Sequence, residues 1–408
     1  MRGSLGLAAY KALSLRGPTP QLDLPIPRPD GELIWLHAAE PGSGRAVGDL
    51  ARSIITARPG LSILVTTAED VSADRVNPTD TLLVTAAPPD HPTTVNRFLD
   101  HWRPNLLIWI WGGLRPNLIL STESRDIPMF LINAGEAGFD ARRDRWLPEV
   151  SRQLLETFDA VLARSDDAQE KILRLGCRPE ITSVTGPLQP TGQALPALDS
   201  DLTEMTDTLA GRPVWLAAGV TVHEWTTVLS AHRSAIRLSP RLLLIGVPLD
   251  PDDGPTFAQM CKKEGLRQAS WADGAIPDDS HQVLVADTMG ELGLWYRLAP
   301  VAFLGNSLLD NASGCDPYPA AAVGVAILYG PNVRGYLQSY SRLAAAGAAR
   351  IINDADSLST AVSHLIAPDQ AAQMAMAGWD VVSRGADVSD RVLNLVHDAL
   401  DGTADRTN

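Results

Sequence analysis

Short, largely apolar runs recur along the first half of the chain, at 33–39, 62–67, 81–86, 105–111, 129–134, 160–165 and 183–186. Each run closes in small, polar or turn-forming residues. A strand wetted on one side alternates apolar and polar side chains, whereas one covered on both sides is apolar throughout. Segments of helical length, among them 46–58, 93–102, 148–158 and 167–175, lie between the runs. Strand–helix alternation of this kind predicts a parallel sheet covered by helices. Pro187, Pro190, Gly192, Pro196 and Pro213 then break the rhythm, which predicts a linker carrying one short helix. The alternation restarts with runs at 213–218, 241–247, 282–287, 301–305, 325–330 and 349–354, separated by helical segments at 223–238, 256–264 and 289–299. Residues 357–400 read as several helical pieces, the last of them, near 387–400, crossing back to the first half.

The pattern predicts an α/β chain of two Rossmann-like domains, with parallel sheets facing each other across a cleft. The boundaries that follow are an amino-terminal segment over 1–28, a first domain over 29–190, a linker over 191–212, a second domain over 213–385, and a terminal helix and tail over 386–408. A length of 408 residues suits two cores, since one core rarely grows past about 250–300 residues. Ligands of open α/β sheets gather at the carboxyl ends of the strands, so the loops there are the places to search for chemistry.

Composition narrows the classes. The formal charge is −14 and uneven, with 20 Lys/Arg against 24 Asp/Glu before residue 200 and 14 against 24 after it. A chain so acidic does not make the clustered phosphate contacts of a general nucleic-acid binder. Cys177, Cys261 and Cys315 lie far apart without metal-type spacing, which fits a reducing compartment. No stretch reaches the roughly 18–20 apolar residues of a membrane span. The opening segment lacks a signal-peptide core. Its Leu5, Leu7, Tyr10, Leu13 and Leu15, interrupted by Lys11 and Arg16, predict a short amphipathic helix, packed on its own domain or resting on a membrane surface.

Three loops can carry chemistry. His37-Ala38-Ala39-Glu40-Pro41-Gly42-Ser43-Gly44 follows the first strand, and Glu40 stands where a general base would accept a proton from a sugar hydroxyl; the alternative is a capping or solvated acid. Asp287-Thr288-Met289-Gly290-Glu291 joins a strand to a helix beginning near Met289, with Thr288 as its cap. The free N–H groups of that start suit phosphate, although the same pattern serves a plain strand–turn–helix. Gly305-Asn306-Ser307-Leu308 and Asp316-Pro317-Tyr318 follow the next strand, with close packing as the alternative to a nucleotide contact. Trp109, Trp111 and Arg115 cluster before Pro116-Asn117, and Arg142, Arg143 and Arg145 form the dense basic group, a solvated face or a lipid-phosphate contact.

These residues resemble the 3-deoxy-D-manno-octulosonic acid (Kdo) transferases across nearly the whole chain. The carriers are residues 33–42 and 61–67, Arg97-Phe98-Leu99-Asp100-His101-Trp102-Arg103-Pro104, Pro116-Asn117-Leu118, Val184-Thr185-Gly186-Pro187-Leu188 and, above all, Asp287-Thr288-Met289-Gly290-Glu291-Leu292-Gly293-Leu294. The resemblance implies a GT-B fold and a metal-independent, cofactor-free, inverting transfer from CMP-Kdo to a lipid A precursor, at the cytoplasmic face of the inner membrane of a Gram-negative bacterium. On that basis Glu40 is the expected base. Pro248, Thr288, Met289, Gly290, Glu291, Gly305, Ser307 and Asp316 are expected on the donor, and Ser43, Arg115 and Asn117 on the acceptor.

The sequence also departs from the family pattern. Gly42 is followed by Ser43 rather than Glu, and Trp111-Gly112-Gly113 stands for a Glu-Thr-Glu run. Pro187-Leu188-Gln189 replaces Asn-Leu-Lys, Gly219-Val220-Thr221 replaces Ser-Thr-His while Glu224 is kept, Pro248-Leu249-Asp250 replaces Pro-Arg-His, and Cys315-Asp316-Pro317-Tyr318-Pro319 replaces His-Asn-Pro-x-Glu. Losing one electrostatic or proton-transfer group costs about 10²–10³ in rate. Two other readings therefore stand beside the first, a non-catalytic binding protein in a GT-B shell and a GT-B enzyme with another sugar-nucleotide donor.

Overall fold

The computed structural model describes residues 7, 10, 14–15, 19–39, 44–67, 78–136, 148–190, 192 and 194–404. In chain order the first half runs β1 (Leu33–Ala38), α1 (Gly44–Ala57), β2 (Ser62–Thr67), β3 (Leu82–Ala86), α2 (Pro92–Trp102), β4 (Leu106–Ile110), α3 (Pro116–Glu123), β5 (Met129–Ala134), α4 (Pro148–Glu156), β6 (Ala160–Ala163), α5 (Asp166–Arg174) and β7 (Thr182–Val184). The second half runs α6 (Asp199–Leu209), β8 (Val214–Val220), α7 (Val222–Ala235), β9 (Leu243–Pro248), α8 (Gly254–Lys263), β10 (Gln268–Ser270), β11 (Val283–Val285), α9 (Leu292–Leu298), β12 (Val301–Leu304), α10 (Tyr318–Ala322), β13 (Ala326–Tyr329), α11 (Leu337–Ala345), β14 (Ala349–Ile351), α12 (Ala355–Leu365) and α13 (Pro368–Ala404).

Two seven-stranded sheets result, in the orders β3-β2-β1-β4-β5-β6-β7 and β10-β11-β9-β8-β12-β13-β14, and every pairing is parallel. The expected pair of Rossmann-like sheets is present. In each sheet the order reverses beside its first strand, between β1 and β4 and between β8 and β12. Such switch points leave a crevice beyond the strand ends where ligands bind in open α/β sheets.

The apolar runs end inside both sheets for the reason that predicted them. Every residue of β1, β2, β4 and β5 is buried. Side chains of alternate parity then serve two cores, Trp35, Leu107, Trp109 and Leu131 on one face of the first sheet and Ile34, Leu36, Ile108 and Ile132 on the other. The chain divides into a unit of residues 1–191 and 384–408 and a unit of 192–383. Val388, Val392, Val396 and Leu400 of α13 join the second of these cores, so the end of the chain completes the first unit.

Several elements differ from the sequence expectation. Strand β10 has a single buried residue among its three and no apolar run, as befits an edge strand that only backbone pairing reveals. Helix α3 is eight residues long and starts at a proline after Arg115, too short to show a periodic face. The terminal pieces are one helix of 37 residues. No helix of the described residues is long and apolar enough to cross a membrane. Leu7 packs against the first core, and the Tyr10 hydroxyl donates to Asp90 at 2.8 Å, which seats the described part of the opening segment on its own domain.

Candidate active site

At the switch point of the first sheet, Gly112 after β4 closes on Ala39 after β1. A side chain at Gly112 would begin 2.5 Å from the Ala39 Cβ, and its φ of +153° also favours glycine. Glu40 and Ser43, with Pro41 and Gly42, lie outside the described residues, in the stretch joining Ala39 to the start of α1. Arg142, Arg143 and Arg145 lie outside them as well.

Two residues before Ala39, His37 is fully buried on β1. Its Nδ1 is 2.8 Å from the Thr66 hydroxyl, which also accepts the Trp35 indole N–H at 2.8 Å, and its ring meets Trp109 edge-on at 4.2 Å. Burial, and secondarily the charge of Arg115, push its pKa down to about 3, so it is a neutral core group at physiological pH.

The two acceptor candidates of the described chain brace the start of α3. Arg115 Nη1 donates to the Pro88 carbonyl at 2.8 Å. Asn117, 2% exposed, donates its carboxamide to the Asp90 carbonyl at 2.8 Å and to the Ser14 hydroxyl at 3.2 Å. The Asp90 carboxylate accepts the Leu118 and Asn117 amides at 2.9 and 3.3 Å, capping α3 from outside its own segment. Asn117 is thus a buried scaffold group, not one displayed to a ligand. A partnered amide at the first turn of a helix looks the same in sequence as a free one.

In the second unit, the turn after β11 stands open. Asp287 is tied back, accepting the Ala272 amide at 3.0 Å and the Ser270 hydroxyl at 3.3 Å. Thr288 donates its hydroxyl to the Glu291 carboxylate. Met289 is 81% exposed and Gly290 takes a φ of +91°. The helix starts at Leu292 with Glu291 at its cap, three residues later than expected, because the positive φ of Gly290 cannot belong to a helix. Pro248 is buried as the last residue of β9, paired with Val220. Asp316 accepts the Tyr318 amide at 3.1 Å ahead of α10.

The turn after β12 is closed. Ser307 is fully buried; its hydroxyl donates to the Leu304 carbonyl at 2.7 Å and accepts the Gly330 amide at 2.9 Å. A Cβ on Gly305 would lie 2.7 Å from both the Gly219 carbonyl oxygen and the Val220 Cα. Ser307 and Gly305, expected on the nucleotide, therefore support the site from within, because the loop packs backbone to backbone on the end of β8.

The residue that sequence reasoning noted without giving it a role is Glu224. It is 1% exposed at the third position of α7. Oε2 accepts the Thr221 amide at 3.1 Å, the Thr221 hydroxyl at 3.1 Å and the Asn306 amide at 2.7 Å; Oε1 accepts the Ser307 and Leu308 amides, each at 2.8 Å. The spacing Thr221-x-x-Glu224 ahead of an apolar helix signals a capping box, which is indeed formed. Nothing local signals the three amides from the turn after β12. Two of the family departures also touch here, since Cys315 Sγ fills the space a side chain on Gly219 would need, 2.4 Å from its Cβ position. Burial, then the Glu224 charge, push the Cys315 thiol up to about 11. No group of three or more His, Cys, Asp or Glu able to hold a metal ion occurs among the described residues.

Comparison with known proteins adds the family. Residues 14–190 match the family described as 3-Deoxy-D-manno-octulosonic-acid transferase (kdotransferase). The 3-deoxy-D-manno-octulosonic acid transferase of Haemophilus influenzae is 28% identical over 92% of this chain and 88% of its own. A probable mitochondrial 3-deoxy-D-manno-octulosonic acid transferase of Arabidopsis thaliana is 31% identical over 75% of this chain and 70% of its own. Among solved structures, the C-terminal CMP-Kdo binding domain of WaaA from Acinetobacter baumannii aligns at 23% identity with a TM-score of 0.42, covering 45% of this chain and 98% of that one. With a relative above 30% identity matched over most of both chains, this protein belongs to the 3-deoxy-D-manno-octulosonic acid transferase family.

Proposed function

We propose that this chain transfers Kdo from CMP-Kdo to a lipid A precursor during assembly of the lipopolysaccharide core. The observation that carries the reading is the turn Asp287-Thr288-Met289-Gly290-Glu291. It stands at the carboxyl end of β11 with Met289 and Gly290 exposed, while Asp287 and Thr288 are bound within the fold. Peptide N–H groups presented in this way suit a phosphate that gains charge as it leaves.

In the mechanism, Glu40 accepts the proton of an acceptor hydroxyl. The hydroxyl oxygen forms a bond to the anomeric carbon of Kdo with inversion, and the bond from that carbon to the phosphate oxygen of CMP breaks. The electron pair leaves on the CMP phosphate, next to the amides of Thr288–Glu291. Asp316 and the Pro248 turn flank the nucleotide, with Gly305 and Ser307 behind them. Ser43, Arg115 and Asn117 belong to the acceptor side, the last as a scaffold group. A lipid acceptor implies work at the cytoplasmic face of an inner membrane, held peripherally.

The test is purified protein with CMP-Kdo and lipid A precursor, read as CMP release and glycolipid product. Glu40→Gln should lower the rate by about 10²–10³, the usual value of a positioned base or oxyanion donor. No product from the unaltered chain, or an unchanged rate in the variant, refutes the proposal; product from another sugar nucleotide alone moves it to a different donor.

A further inference from the structure

The switch point of the second sheet is already filled by the protein's own carboxylate. Glu224 reaches it from α7 and takes amides 82, 83 and 84 residues away, together with the Thr221 amide and hydroxyl. Both oxygens act only as acceptors, the bonding pattern of a carboxylate. Among the described residues no Lys, Arg or His forms an ion pair with it. Its compensation is the Thr221 hydroxyl and peptide dipoles, three from the β12 turn and those of the amino terminus of the 14-residue α7. Asn306 is held at a φ of +52° in this arrangement, and Leu309 just beyond is left 39% exposed. Convergent amides at a switch point are what an α/β protein ordinarily offers a ligand phosphate.

We propose that Glu224 is a positioning residue that occupies this anion cradle from inside, so that the donor phosphate is taken by the turn after β11 and the β12 loop is held in the shape that flanks the nucleotide. This rests on the reading of the second unit as the sugar-nucleotide domain. Glu224 touches no reacting atom. It determines which amides are available.

Replacing the carboxylate separates this role from plain packing. Glu224→Ala leaves five donors aimed at one spot, a site that formate or acetate fits. Glu224→Gln fills the space but turns an NH₂ group toward N–H groups. CMP binding by calorimetry and melting temperature are measured for the full chain and both variants, in acetate and in chloride of equal ionic strength. The unaltered chain should bind CMP and be indifferent to acetate. Both variants should bind CMP at least about tenfold more weakly, the least loss expected when charged hydrogen bonds fail. Acetate should raise the melting temperature and CMP affinity of Glu224→Ala but not of Glu224→Gln. If Glu224→Ala does not fold, acetate in the refolding buffer should recover it. CMP affinity unchanged in both variants, or no acetate response in Glu224→Ala, overturns the proposal. Failure of the unaltered chain to bind CMP counts against the donor reading instead, and acetate-dependent melting of Glu224→Ala still decides the cradle.

Discussion

His232 allows one prediction to be worked in detail. It is fully buried on α7. Its Nδ1 accepts the Trp215 indole N–H at 3.1 Å, and its Nε2 lies 3.0 Å from the Gln282 carbonyl. An indole can only donate and a carbonyl only accept, so the ring is the neutral tautomer with its hydrogen on Nε2. A second proton on Nδ1 would face the indole N–H. Burial, opposed by the Gln282 carbonyl and reinforced by Arg212, pushes the pKa down to about 4 from an ordinary 6.5. Below pH 6.5 the unfolded chain therefore takes up this proton before the folded chain does. Stability is unaffected above that pH, falls as pH drops from 6.5 toward 4, and levels off below. With one decade of proton affinity worth about 1.4 kcal/mol, the loss is about 2 kcal/mol at pH 5 and about 3 kcal/mol near pH 4. Urea unfolding between pH 7 and pH 4.5, followed by tryptophan fluorescence, measures it. Glu and Asp side chains and the buried His37 add slopes of their own, so the informative quantity is the difference between the unaltered chain and His232→Gln, whose amide can still serve both partners. The two midpoints should converge as pH falls. Parallel lines over that range would refute the assignment of a buried neutral imidazole.

Two other substitutions probe the scaffold of the site. Gly305→Ala would place a methyl 2.7 Å from the backbone at Gly219 and Val220, and should cost about 1–3 kcal/mol in denaturant unfolding; an unchanged midpoint means the β8 and β12 turns are not packed as described. Asp90→Ala removes the cap of α3 and the partner of Tyr10, and should cost about 1–2 kcal/mol in denaturant unfolding; an unchanged midpoint would show that other contacts hold the start of α3.

Much of the architecture can be read before any coordinates. The runs at 62–67 and 129–134 are strands β2 and β5 to the residue, because a strand covered on both faces is largely apolar, with few polar residues such as Thr66 and Asn133, and that demand is written locally. The same local demand makes Thr221-x-x-Glu224 legible as a helix cap. Where few residues carry the signal it fades, as in β10 with one buried side chain, α3 with eight residues, and α9, whose start is moved to Leu292 by the conformation of Gly290.

What no local pattern holds is the order of strands. Placing β12 beside β8 brings the amides of Asn306, Ser307 and Leu308 to Glu224, and turns a helix cap into the buried anchor of a loop from another part of the chain. The same step draws the Ser307 side chain inward, where its hydroxyl bonds the backbone at Leu304 and Gly330. Periodicity and capping depend on neighbours within a few residues and are fixed by the chain alone. The partner of a buried polar group depends on which distant backbone arrives beside it, and only the assembled sheet settles that.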